Sequence, residues 1–185
     1  MSETLPKNLV SNILKLKERK NIVKEAERLG LEYERKYWGC GQSTILAILD
    51  SLDLRNPDVF KSLSGFGAGI GLTNKSTCGA LIGSIAAISY IFGRDIKKLE
   101  ELDRGILCYR ISRKMVNMFE SKYGTLDCFK LQEKLMGRYY NLWDERDFAL
   151  FEEAGGHRDK CPSIVSWCSG KAVELILEFA SGGGK

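Results

Sequence analysis

Apolar residues recur three and four positions apart through most of the chain, and no stretch alternates at period two, a pattern that predicts an all-α fold. Residues 6–35 read as a charged amphipathic helix with Leu9, Ile13, Leu16, Ile22 and Val23 on its apolar side and Gly30 as its weak point. A second helix follows Gly39-Cys40 and carries Ile45, Leu46, Ile48 and Leu49 to about Leu52, after which LRNPDVF predicts a turn and a short helix. GFGAGIGLTNKS, residues 65–76, has glycine at alternate positions and reads as a loop shaped by its backbone. An apolar helix from Cys78 to Phe92 comes next, then one from Leu102 to Tyr123 holding Ile106, Ile111, Met115, Met118 and Phe119, closed by Gly124. A short helix after Asp127-Cys128, an aromatic segment around Tyr139, Tyr140 and Trp143, and a helix from Pro162 to Phe179 complete a single helical domain of about six to seven helices.

Length and composition narrow this picture. A chain of 185 residues fits one domain, residues 1–185, in which 1–24 is an N-terminal amphipathic helix, 25–178 a four-cysteine domain and 181–185 a frayed tail. With 44% hydrophobic and 28% charged residues, disorder is not expected. The net charge is only +4, and in KLKERKNIVKEAERLG acids interleave with the bases, so no nucleic-acid footprint is expected. The longest uncharged apolar run, residues 77–92, falls short of the ~20 residues a bilayer span needs and reads as a buried helix, with a homodimer as a second way to cover it. The N-terminus lacks an apolar core followed by a small-residue cleavage site, which predicts a cytoplasmic protein.

Six cysteines in a reducing compartment point to metal ligands or reactive thiols rather than structural disulfides. Four of them, Cys40, Cys78, Cys128 and Cys161, fall at predicted helix starts, the last immediately before Pro162. Free N–H groups and the dipole at a helix N-terminus favour a thiolate, so these positions are expected to have lowered pKa values. Cys108 and Cys168 lie inside predicted helices and read as small buried residues, although Cys168 is seven positions after Cys161 and on the same helix face. No C-x-x-C pair is present, which makes zinc a minor option, and no C-x-x-C-H, which excludes c-type haem attachment. An iron-sulfur cluster accepts thiolates gathered from distant segments, and dithiol chemistry needs only that two of them meet. The glycine loop matches neither a dinucleotide fingerprint nor a P-loop, since Asn74 stands where glycine must precede Lys75-Ser76. Gly67, Gly69 and Gly71, with Gly79, are instead candidates for letting backbone N–H groups approach sulfur, either in a cluster or at Cys78. His157, four residues before Cys161, is a candidate further ligand or proton donor, whereas Glu152-Glu153 reads as solvated loop.

The blocks YWGCGQSTI (37–45), GFGAGIG with TCGALIG (77–83), YGTLDCFKL (123–131) and KCPSIV (160–165) resemble, in order, the family of redox-active proteins named for the pattern C_GCAxxG_C_C. Cys40, Gln42 and Ser43, then Cys78, Gly79, Ala80 and Gly83, then Gly124 and Cys128, and finally Cys161 fall in register, over about residues 25–178. The resemblance implies a helical domain with four functional cysteines. It is also similar to the non-haem domain of split-Soret-type cytochromes, where an iron-sulfur cluster on these cysteines is expected. The resulting expectation is a redox protein holding a cluster of two or four irons on Cys40, Cys78, Cys128 and Cys161, exchanging electrons with a redox partner protein. A metal-free thiol-disulfide oxidoreductase using the same four thiols and a non-enzymatic metal-binding module remain open at this point.

Overall fold

The computed structural model describes residues 16–100 and 102–182. The predicted stretch 6–15, with Leu9 and Ile13, and the tail beyond Gly182 lie outside the described residues. The α-helices are α1 (Leu16–Tyr37), α2 (Cys40–Ser51), α3 (Pro57–Ser62), α4 (Gly79–Phe92), α5 (Leu102–Tyr123), α6 (Cys128–Met136), α7 (Glu145–Glu153) and α8 (Cys161–Ala180). No strand occurs among the described residues; Thr77 and Asp127 form an isolated antiparallel bridge. The fold is therefore all-α, as the periodicity predicts.

Helix α8 runs through the middle of the structure and packs on α1, α2, α4 and α5. Its Val165, Ala172, Val173 and Ile176 meet Ile45, Ile48 and Leu49 of α2, Leu81 and Ile88 of α4, and Ile111, Met115 and Phe119 of α5 in one core. Most of the apolar run 77–92 packs into this core, while Ser89 and Tyr90 are exposed. Among the described residues no helix is long and apolar enough to cross a membrane.

Small residues allow the closest crossings. Helix α1 passes Gly30 without a break, because a side chain there would stand 2.7 Å from Ser169 Oγ and 3.1 Å from the Val165 carbonyl of α8. Tertiary packing thus overrides the helix cost of glycine, about 1 kcal/mol. Gly41 of α2 meets Gly79 and Gly83 of α4 backbone to backbone.

Two elements differ from the sequence reading. The aromatic segment after Tyr139 leads into α7, whose N-cap Asp144 accepts a hydrogen bond from the Asp147 N–H at 2.9 Å. Glu152 accordingly lies in the last turn of a helix and not in a loop. Gly156–Lys160 then form a π-helical turn that runs straight into α8.

Candidate functional site

The helix starts predicted for the four cysteines are present. Cys40, Cys128 and Cys161 are the first residues of α2, α6 and α8, and Cys78 is the N-cap of α4. All four line a single cavity of about 140 Å³. Apolar cavities of roughly 150 Å³ admit a benzene-sized guest. The remaining wall is almost wholly apolar, with Leu131, Leu135, Phe148, Phe151, Ile164 and Val165 prominent. All six cysteines are free thiols.

Each cysteine is held by local chemistry. Cys78 and Cys128 are clamped side by side, since the Cys78 N–H donates to the Leu126 carbonyl at 2.8 Å and the Cys128 N–H to the Ser76 carbonyl at 3.0 Å. Behind them lies a buried amide network. Asn74 donates through Nδ2 to the Tyr140 carbonyl and accepts at Oδ1 from Gln132 Nε2 at 3.0 Å, while the Tyr140 N–H donates to Gln132 Oε1 at 2.9 Å. The Cys128 sulfur lies 3.6 Å from Asn74 Oδ1 and 3.8 Å from Gln132 Nε2.

Cys40 is placed by the turn at Trp38 and Gly39, both left-handed at φ 60° and 77°. Its neighbour across the helix crossing is Gly79, where any Cβ would run into the Cys40 sulfur and the Phe66 carbonyl. Cys161 sits where the π-helical turn meets α8. Pro162 has no N–H for the Arg158 carbonyl four residues back, and that carbonyl accepts instead from Arg35 Nε of α1 at 2.8 Å.

The glycine loop is an unusual left-handed coil. Ala68, Gly69, Ile70, Gly71 and Leu72 have consecutive φ values of 41°, 66°, 66°, 58° and 57°. Left-handed backbone costs a non-glycine residue about 1–2 kcal/mol, so Ala68, Ile70 and Leu72 hold strain beside the cavity. Of the candidate glycines, Gly67 lines the cavity, Gly69 backs on to Asn74 and Cys128, where a Cβ would stand 2.8 Å from the Asn74 backbone and 3.0 Å from Cys128 Cβ, and Gly79 faces Cys40. Gly71 is exposed, with its carbonyl accepting from Trp143 Nε1 at 3.0 Å, and does not line the cavity. Of the loop's N–H groups, that of Ala68 acts on Cys40 and holds its pKa down in part.

The expected lowering of thiol pKa is overturned by burial. Burial first, then the charges of Glu34 and Cys78, push Cys40 well up, while the N–H groups of Ala68 and Gly41 only partly oppose this. Cys78 is pushed up to about 12 by burial and the neighbouring Cys128, against the N–H groups of Ala80 and Leu81. Cys128 is likewise pushed up to about 12 by burial and Cys40, and Cys161 is raised well above the usual thiol value by burial, Glu34 and the other three thiols. Desolvation outweighs the helix termini here, and at α8 the terminus is also closed, because the π-helical turn occupies the Cys161 N–H.

Cys168 is fully buried in α8 and Cys108 is buried in α5 with its sulfur 3.6 Å from Ser89 Oγ; neither lines the cavity. Cys168 therefore does not supplement Cys161 there.

His157 does line the cavity. Its ring stacks on Trp38 with centroids 4.8 Å apart and its Nδ1 pairs with Glu152 Oε1. Burial lowers its pKa while Glu152 raises it. One residue was missed from sequence. Glu34 of α1 is 1% exposed, lines the cavity, and has Oε2 without a hydrogen-bond partner among the described residues. Burial pushes its pKa up to about 7, and the nearby Ser43 hydroxyl, which donates to the Trp38 carbonyl at 2.9 Å, lowers it only in part. The signal was available, because Ala26, Gly30 and Glu34 are successive i, i+4 positions on the buried face of α1.

Among the described residues, no group of three or more His, Cys, Asp or Glu side chains is spaced to hold one metal ion. A family model described as "Putative redox-active protein (C_GCAxxG_C_C)" matches residues 38–175. No curated protein and no solved structure matches the chain.

Proposed function

Because the chain belongs to the C_GCAxxG_C_C family of redox-active proteins, we propose that its four-cysteine cavity holds an iron-sulfur cluster for electron transfer or reduction. The observation that carries this reading is the convergence of Cys40, Cys78, Cys128 and Cys161, from four helix starts far apart in sequence, on one apolar cavity of about 140 Å³. A single ion needs its donors within one coordination sphere, and that spacing is absent among the described residues. A cluster presents separate irons to separate thiolates, so its ligands stand farther apart around a larger volume. Bound there, it would accept and release single electrons.

The chain's own groups suit that role. Without a cation the buried thiols stay protonated at neutral pH, which disfavours free-thiolate chemistry. A bound cation inverts this preference and makes the same four sulfurs anionic ligands. The Ala68, Gly41, Ala80 and Leu81 N–H groups, which already act on Cys40 and Cys78, stabilise negative charge on sulfur and so raise the ease of reduction. Apolar side chains make up most of the wall around the sulfurs, with Cys78 and Cys128 buried and Cys40 and Cys161 half-buried. The Gly79 position leaves room for Cys40 to face the cavity.

Serine substitution tests the assignment. After anaerobic reconstitution with iron and sulfide, Cys40→Ser, Cys78→Ser, Cys128→Ser and Cys161→Ser are each expected to lose most visible absorption and bound iron, whereas Cys108→Ser and Cys168→Ser retain both. Equal retention in all six variants would contradict it.

A further inference from the structure

The geometry points to Glu34 as an oxygen ligand, joining the four cysteine sulfurs at the metal group the cavity holds. This rests on the cluster reading above and adds a donor that the cysteine pattern does not contain. A carboxyl buried to 1% exposure with one oxygen unpartnered is expensive, because burial of a polar group costs free energy unless a partner replaces water. Helix α1 had alternatives at this position. Gly30 and Ala26, one and two turns earlier on the same face, are buried, Ala26 in the apolar core and Gly30 against the α8 backbone and Ser169 Oγ, and an aliphatic side chain at 34 would have continued that buried face.

What surrounds the orphaned oxygen narrows its partner. Glu34 shares the cavity wall with all four cysteines, and its charge acts on Cys40, Cys78 and Cys161. The cations nearest in kind are otherwise placed. Lys160, also on the wall, pairs with Asp159 at 3.2 Å, and Arg35 donates to the Arg158 carbonyl. Ser43, whose hydroxyl acts on the carboxyl, is committed to the Trp38 carbonyl. His157 is paired with Glu152. Iron accepts carboxylate oxygen as well as thiolate sulfur, and ligation satisfies the oxygen that no protein group reaches among the described residues. On ligation, the carboxyl and the thiols release their protons to solvent and the metal group takes their place, an exchange that in itself moves no electron.

The test compares wild type with Glu34→Gln and Glu34→Leu after anaerobic reconstitution with ⁵⁷Fe and sulfide, with far-UV circular dichroism confirming the helical fold of each. Wild type is expected to show one iron subspectrum distinct from the rest by Mössbauer spectroscopy, since oxygen donation differs from sulfur donation. Both variants are expected to lose that subspectrum, keep their cysteine-bound iron, and move to a higher midpoint potential because an anionic ligand has gone. Wild type and variants with identical subspectra and potentials would overturn the inference while leaving the cluster intact. A wild-type chain that takes up no iron or sulfide would overturn the cluster reading, and this inference with it.

Discussion

Asn74 is the residue whose loss should reveal most about how the cavity is held. It is buried, left-handed at φ 59°, and joins the Tyr140 carbonyl to Gln132, which in turn backs Cys128. Asn74→Ala leaves two buried polar groups, the Tyr140 carbonyl and Gln132 Nε2, without their partner, at about 1–3 kcal/mol each. It also places alanine in left-handed backbone at about 1 kcal/mol or more. The total, about 3–7 kcal/mol, is a large share of the stability of a domain this size. Asn74→Gly removes the same side-chain hydrogen bonds but is free of the left-handed penalty, so it should be less destabilised than the alanine variant by about 1 kcal/mol. Urea unfolding followed by circular dichroism measures both. A cost below about 1 kcal/mol for Asn74→Ala, or a glycine variant at least as destabilised as the alanine one, would refute the reasoning from orphaned groups and backbone strain.

Three further outcomes follow from the same structure. In the metal-free protein Glu34 has its pKa raised from 4.5 to about 7, so its contribution to stability is complete below pH 4.5 and lost as pH rises through 7. The loss is on the order of 3 kcal/mol. Urea midpoints of wild type should therefore fall relative to Glu34→Gln across that window, with the opposite slope from His157 cancelling in the comparison; parallel profiles would contradict it. The four cavity thiols, raised by burial, should alkylate with iodoacetamide at pH 8 more slowly than a small free thiol, and any one of them reacting faster would count against the burial argument. Ile70→Gly relieves a left-handed β-branched residue that is 43% exposed, and should stabilise the metal-free protein by about 1 kcal/mol in the same unfolding assay, where a net loss would show that packing outweighs strain.

Much of the architecture was legible from spacing. The bounds of α4 and α5 follow from the apolar positions of residues 78–92 and 102–123, and the four cysteine helix starts follow from the apolar runs after Cys40, Cys78 and Cys128 and from Pro162. Helix α7 was hidden because Tyr139, Tyr140 and Trp143 drew the reading to an aromatic segment, although Asp144 followed three residues later by Asp147 is a capping signal. The π-helical turn gave no sequence signal beyond Gly155-Gly156 and Pro162. The chemistry of the cysteines was misjudged for a physical reason. Helix starts are visible in sequence, whereas the depth of the cavity they share depends on Leu131, Phe151, Ile164 and Val165 arriving from separate elements, and that depth decides the sign of the pKa shift. Glu34 was overlooked because a glutamate amid the charges of EYERKY reads as surface until the i, i+4 relation to Ala26 and Gly30 is followed.

The most direct test of the central claim is the absorption spectrum of the protein purified without oxygen, together with its iron and acid-labile sulfide content. The account predicts broad visible absorption that bleaches with dithionite and iron and sulfide in near-equal amounts, whereas a colourless chain that remains free of iron and sulfide after reconstitution would contradict it.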